Sequence, residues 1–262
     1  MRIRYLKKTE NILDTSPYVV RETDGWKGEW RKRMLLAAEN DRITAPDELP
    51  YKRLSIEIGC GKGKYITRMA LDHPDELFIG DERVSTILAR TALTLEEESR
   101  RTRKYGIYIP PLSNVRLIRV SAEDLMDVFA EGELDRIFLT FSDPWPKEKH
   151  AKRRLTSDRF LPIYRYLLGP EGDLCFKTDN DDLFAYSVGS LQENGWKILE
   201  LTDDLHGVLA QDETAREAAE KNKARLALIN PGVLVTTEYE ENFMRIKKNI
   251  HYLRAVPIQL QS

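Results

Sequence analysis

Leu54-Ser55-Ile56-Glu57-Ile58-Gly59-Cys60-Gly61-Lys62-Gly63 reads as a short apolar strand running into a glycine-rich turn, and the residues from Tyr65 to Leu71 open a helix behind it. Glycines at such a turn permit backbone conformations closed to other residues and let a ligand approach the main chain. The alternation continues downstream. Leu77 to Gly80 is strand-like and ends in Asp81-Glu82, with a helical pattern from Val84 to about Glu98. Val115 to Val120 is a strand ending in Ser121-Ala122-Glu123-Asp124, and Leu134 to Phe141 is another. Ser157 to Leu168 is helical, Gly172 to Lys177 a strand, Leu183 to about Glu193 a helix and Trp196 to Leu201 a strand. Strands alternating with helices in this way predict an α/β protein with an open, mostly parallel, doubly wound sheet and helices on both faces.

Ligands of such sheets collect outside the carboxyl ends of the strands. Glu57, Glu82, Ser121, Asp143 and Asp179 all fall at or near those ends, where Ser and Asp also serve as turn residues and helix caps. An acid closing the second strand suits ribose hydroxyls. The spacing Gly59-x-Gly61-x-Gly63 departs from the Gly-x-Gly-x-x-Gly of dinucleotide sites, where a diphosphate sits on the helix end. Glu57 beside that turn repels a diphosphate and attracts a cationic ligand end. S-adenosylmethionine has an α-ammonium, a sulfonium and a ribose but no phosphate, and fits that charge better than a nicotinamide dinucleotide. An NAD-dependent oxidoreductase of the same fold stands as the alternative.

Ile137-Phe138-Leu139-Thr140-Phe141-Ser142-Asp143-Pro144-Trp145-Pro146-Lys147 carries the second signal. Its first half is an apolar run of buried-strand length. The prolines after Asp143 forbid helix and central strand alike, so the chain leaves the sheet as a stiff loop. From Lys147 to Arg154 there are five Lys or Arg and one His in eight residues. A carboxylate at a strand end, an aromatic beside it and cations behind it describe a place where an anionic polymer meets chemistry. A solvated basic loop is the plain alternative.

At 262 residues the chain is long enough for one sizeable core and a small appendage. Hydrophobic residues make up 41% and charged residues 32%, the balance of a globular protein with a heavily charged surface. No apolar run reaches the length of a bilayer span, and Met1-Arg2-Ile3-Arg4 is not followed by an apolar secretory segment, so a cytoplasmic protein without membrane contact is expected. Cys60 and Cys175 lie far apart with no metal-ligand spacing, so reduced thiols and no metal site are expected. Net charge is −2, so any nucleic acid is held by local patches. These are Arg100-Arg101-Thr102-Arg103-Lys104, the run 147–154, and Lys221-Asn222-Lys223 with Arg225. Residues 1–50, with Trp26 and Trp30 in a polar context, read as an N-terminal extension that folds over the body or orders on a partner. The domain proper spans 51–262, with a helical insert at about 213–228.

Several of these segments together resemble the bacterial tRNA (guanine-N7)-methyltransferases. They are Glu57-Ile58-Gly59-Cys60-Gly61-Lys62-Gly63, Phe141 to Lys147, the trailing Lys-His-Lys-Arg-Arg-Leu elements, Lys177-Thr178-Asp179 and Thr237-Glu238-Tyr239-Glu240, matching in order and spacing from about residue 54 to 255. The resemblance implies a class I, S-adenosylmethionine-dependent methyltransferase acting on N7 of a guanosine in the tRNA variable loop. A tRNA-binding module without activity would share the binding residues. The resemblance further implies that Glu57 with Gly59, Gly61 and Gly63 holds the cofactor's amino-acid end and Glu82 its ribose. Ser121 with Ala122 falls at the adenine, where many members carry Asp or Asn, and Glu123 is the substitute. Asp143 matches the acid shared by the cofactor and guanine sites. Lys147, Asp179, Thr237, Glu238, Tyr239 and Glu240 match substrate-binding positions, and Lys149, Lys152, Arg153 and Arg154 are expected at tRNA phosphates. Lys247 stands where members commonly carry a glycine, and the insert is expected to serve tRNA binding, dimerisation or packing. Monomer and homodimer are both compatible with the sequence.

Guanine N7 is a lone pair on the major-groove edge and carries no proton, so attack on a sulfonium methyl requires no general base. Positive charge develops on the ring instead. A fixed carboxylate stabilises that charge while accepting from guanine N1–H or N2–H₂, and Asp143 is expected in this role with Asp179 and Glu240 as further acceptors. Trp145 and Tyr239 are candidates to stack on the base, and His150 is expected as a loop or phosphate contact.

Overall fold

The computed structural model describes residues 8–39, 52–104, 112–236, 240, 243 and 245–258. In chain order the elements are α1 (Thr9–Thr15), α2 (Trp30–Glu39), β1 (Leu54–Ile58), α3 (Lys64–Asp72), β2 (Leu77–Asp81), α4 (Ser85–Lys104), β3 (Val115–Ile118), α5 (Leu125–Val128) and β4 (Leu134–Thr140). They continue with α6 (Leu161–Leu167), β5 (Leu168–Thr178), α7 (Asp181–Glu193), β6 (Trp196–Thr202), α8 (Glu213–Ile229) and β7 (His251–Pro257). The strands form one seven-stranded mixed sheet in the order β3-β2-β1-β4-β5-β7-β6, with helices on both sides. β1, β2 and β3 pair in parallel, with Glu57 opposite Gly80 and Asp81 opposite Ile118. These strands are buried along their whole length, as parallel strands covered on both faces must be. The strand-then-helix alternation did not predict β7, which inserts between β5 and β6 and runs antiparallel to both. The stretch between β6 and β7 carries α8, and a strand running antiparallel to its neighbours lies outside the parallel strand-then-helix pattern that marked the others. Among the described residues no helix is long and apolar enough to cross a membrane.

The chain divides into two compact units, residues 1–136 with 166–170, and residues 137–165 with 171–262. In the first unit the N-terminal stretch is part of the packed body. Leu117 N donates to Tyr18 O at 2.7 Å and Val20 N to Leu117 O at 2.9 Å, so residues 18–20 lie along β3 and cover its open edge. Trp30 is fully buried. Its indole donates to Val128 O at 3.0 Å and its ring stacks on Phe129 at 5.1 Å. Glu133 collects the backbone N–H groups of Gly28, Trp30 and Ala130, and α1 packs on α4.

In the second unit, β5, β7 and β6 form the sheet region against which α7 packs. Asn180 caps α7, its side-chain oxygen accepting from Leu183 N at 2.8 Å. β6 alternates buried and exposed residues, as a strand with one wet face does. The helical stretch expected at about 213–228 is α8, capped by Asp212 through Ala215 N at 2.7 Å. It is tied to β6 by the Arg225–Glu200 ion pair at 2.7 Å, and Glu200 also meets Arg254 of β7 at 3.6 Å.

Candidate functional site

In the first unit the glycine turn is pinned from below. Gly59 N and Cys60 N both donate to Asp81 O at 2.9 Å, and Thr91 of α4 donates its hydroxyl to Gly61 O at 2.7 Å. Gly63 starts α3 with φ +75°, and a Cβ there would lie 2.1 Å from Thr91 Cγ2. Only glycine meets both demands, of conformation and of space. Around this turn stand three carboxylates. Glu57 is 1% exposed, and Asp81 is 3% exposed with Oδ1 accepting from Val120 N at 3.0 Å. Glu82 accepts from Val84 N at 2.8 Å, just ahead of α4. Burial pushes the Asp81 carboxyl up to about 8; the Val120 N–H opposes that rise and Glu82 adds to it. Asp81 is therefore a neutral structural tie between β2 and the chain leaving β3, while Glu57 and Glu82 supply negative field. That field is felt at Cys60, whose thiol is pushed well above its ordinary value by burial first and then by Glu57, Glu82 and Asp81. Cys60 is thus a protonated, inert packing residue. Ser121 donates to the Glu123 carboxylate, so the two adenine candidates form one pair. A diphosphate is repelled by this turn and a cationic ligand end is attracted.

The second unit is built differently. Phe141 follows β4 with φ +52°, its N–H donating to Lys177 O of β5 at 2.9 Å, and Trp145 has φ +42°. Bulky residues in the left-handed region are outliers that cost of order 1–3 kcal/mol each. Asp143 lies midway between them and is exposed. Arg154 closes the loop from the far side: Nε donates to Pro144 O and Nη2 to Trp145 O, each at 3.1 Å, and its guanidinium lies 4.3 Å over the Tyr186 ring. Hydrogen bonds from a charged donor contribute roughly 1.5–3 kcal/mol each, enough to offset the strain at Trp145. Arg153 lies 5.0 Å over the Trp145 ring, and His150 meets that ring edge-on at 5.8 Å. Lys147, Lys149, Lys152 and Arg153 are exposed.

Asp179, at the end of β5, accepts from Lys248 Nζ at 2.7 Å. Glu240 has no exposed surface; Oε1 accepts from Lys177 Nζ at 3.1 Å and lies 3.0 Å from His206 Nε2, and Lys177 also donates to Val235 O at 3.0 Å. A carboxylate taken out of water needs such partners.

Residues 51–253 match the model of a family described as "Putative methyltransferase". The chain is 35% identical to the tRNA (guanine-N(7)-)-methyltransferase of Lachnoclostridium phytofermentans over 97% of this chain and 98% of that protein. It is 39% identical to the enzyme of that name from Oceanobacillus iheyensis, over 94% and 93%. The chain belongs to the tRNA (guanine-N(7)-)-methyltransferase family. Its fold is like that of the 16S rRNA methyltransferase KamB, with TM-score 0.51, 13% identity, and coverage of 80% of this chain and 90% of that one.

Against the family positions expected from sequence, the first unit gathers Glu57, the three glycines, Glu82, Ser121 and Ala122 at the ends of β1, β2 and β3. In the second unit Asp143 and Asp179 close the neighbouring strands β4 and β5. Two expectations change. Glu240, expected at a base edge, is an internal ion-pair anchor, and Arg154, expected at a phosphate, is turned inward to the loop carbonyls. Thr237, Glu238 and Tyr239 lie outside the described residues. Lys247 has φ +56°, in the left-handed region that glycine adopts without strain. Sequence reasoning missed His206 and Lys248, single polar residues whose partners are distant in the chain, and it missed Lys177 as the partner of Glu240.

Proposed function

We propose that this chain transfers a methyl group from S-adenosylmethionine to N7 of a guanosine in the variable loop of tRNA, forming 7-methylguanosine. The observation that carries the reading is the Asp143 loop: an exposed carboxylate at a strand end, between two strained aromatic residues, leading into a basic turn. The acid-lined glycine turn of the first unit fits a cofactor with a cationic end and no phosphate. When bound, that cofactor supplies a methyl made electrophilic by its sulfonium. Glu57 and the turn hold the ammonium end, Glu82 the ribose hydroxyls, and Ser121, Ala122 and Glu123 the adenine edge.

Asp143 accepts from the guanine N1–H or N2–H₂ edge and stabilises the positive charge that develops on the ring; it removes no proton, because N7 bears none. Asp179, fixed by Lys248, offers a second acceptor. Lys147, Lys149, Lys152 and Arg153 meet phosphates. Rate acceleration rests mainly on alignment, for which effective molarities reach about 10⁵ M or more. The test is incubation of the chain with cofactor and tRNA, followed by nucleoside analysis. 7-methylguanosine is expected; its absence, or methyl incorporation only at another nucleoside, sinks the reading.

A further inference from the structure

We propose that Arg154 is a positioning residue for guanine recognition, clamping the Asp143 loop and tying it to α7, rather than a contact to tRNA phosphate. This rests on the function proposed above. Among the basic residues from Lys147 to Arg154, Arg154 alone is buried, at 9% exposure. Two separate nitrogens of its planar fork donate to two consecutive carbonyls, Pro144 O and Trp145 O, both at 3.1 Å. The plane then stacks on Tyr186 at 4.3 Å. Tyr186 belongs to α7, and the residue before that helix's Asn180 cap is Asp179. The same helix is joined to the chain just after Arg154: Thr156 Oγ1 lies 2.7 Å from Ser187 Oγ, and Ser190 Oγ donates to Thr156 O at 2.7 Å. Arg154 therefore links the loop that carries Asp143 to the element that follows Asp179, the two acids assigned to the guanine edge.

The clamp also holds a backbone that would otherwise relax, because Trp145, whose carbonyl it grips, sits at φ +42°. Arginine is required for this task. A lysine keeps the charge but is a single donor point without a plane, and cannot hold two carbonyls while stacking. A phosphate contact has the opposite tolerance, since lysine serves phosphate well as a point charge.

Arg154→Lys in the full chain separates the two roles. The clamp predicts that kcat for tRNA methylation falls at least about tenfold, because small misplacements near the chemistry carry large losses. It also predicts that KM for tRNA moves less than about threefold and that its salt dependence is unchanged, whereas Arg153→Met lowers the salt slope by about one. A purely structural role would lower thermal stability without splitting kcat from KM. A readout independent of activity is hydrogen exchange of the peptide spanning 141–153, which should quicken in Arg154→Lys and Arg154→Met, and to a lesser degree in Tyr186→Leu. Near-normal kcat in Arg154→Lys, unchanged loop exchange, or a lowered salt slope would overturn the assignment. If the wild-type chain forms no 7-methylguanosine, the function proposed above fails, and loop exchange still decides whether Arg154 is a clamp.

Discussion

The two halves of the candidate machinery solve the same backbone problem in opposite ways. At the first, the chain turns sharply behind β1 on Gly59, Gly61 and Gly63, all at positive φ, and this bare backbone is the part proposed above to hold the cofactor's ammonium end. At the second, the left-handed positions behind β4 are filled by Phe141 and Trp145, which carry strain that glycine would relieve. The contrast teaches where side chains are needed. A turn that cradles a ligand with its backbone gives up its side chains, whereas a loop that presents an acid and an aromatic wall keeps them. The strained loop then needs external bonds, and Arg154 supplies two.

The strongest way to break this comparison is Gly63→Ala. Its Cβ would overlap Thr91 Cγ2, so stability should fall by about 3 kcal/mol and cofactor binding should vanish. Adding Thr91→Ser removes the nearest atom but not the backbone strain, so the double variant should recover most of the loss and retain a residual of about 1 kcal/mol, read by denaturant titration. No recovery would mean that conformation, not space, reserves the site for glycine.

Asp81 sharpens the electrostatic half. Its folded carboxyl is pushed up to about 8, above the ordinary carboxylate value, so the native state keeps a proton that the unfolded chain loses. Its contribution to stability is present at low pH and is lost as pH rises from about 4 through 8. Asp81→Asn keeps the acceptor for Val120 N and removes that titration. Its melting temperature should exceed the wild-type value at pH 8 by several degrees, and the gap should close toward pH 5. A variant less stable than wild type at pH 8 would contradict the neutral-tie role.

The smallest effect is at Lys247, a left-handed residue outside both turns. Lys247→Gly should stabilise by about 0.5–1 kcal/mol, a rise of roughly 1–4 °C in a chain of this size. A loss instead would mean that the lysine side chain holds something there.

The parallel half of the sheet was legible because buried parallel strands and crossover helices write their alternation into the sequence. β7 was not, because an antiparallel strand after a long connection leaves only seven residues of weak pattern. Trp30, read with Trp26 as punctuation of a polar stretch, gave no sign of burial, since its partners Val128, Phe129 and Glu133 lie about a hundred positions away. By contrast, the positions of Glu57, Glu82, Asp143 and Asp179 at or near strand ends could be read directly from the sequence. The inward turn of Arg154 and the burial of Glu240 against Lys177 and His206 depend on which way a side chain faces, and a charge run does not record that.

The central claim is that the Asp143 carboxylate orients guanine and offsets its growing charge without taking a proton. Single-turnover methylation of tRNA by Asp143→Ala, with cofactor binding titrated calorimetrically on the same sample, tests it most directly. We expect methyl transfer to fall by at least about 100-fold while cofactor binding stays measurable. Transfer at a near wild-type rate would contradict it.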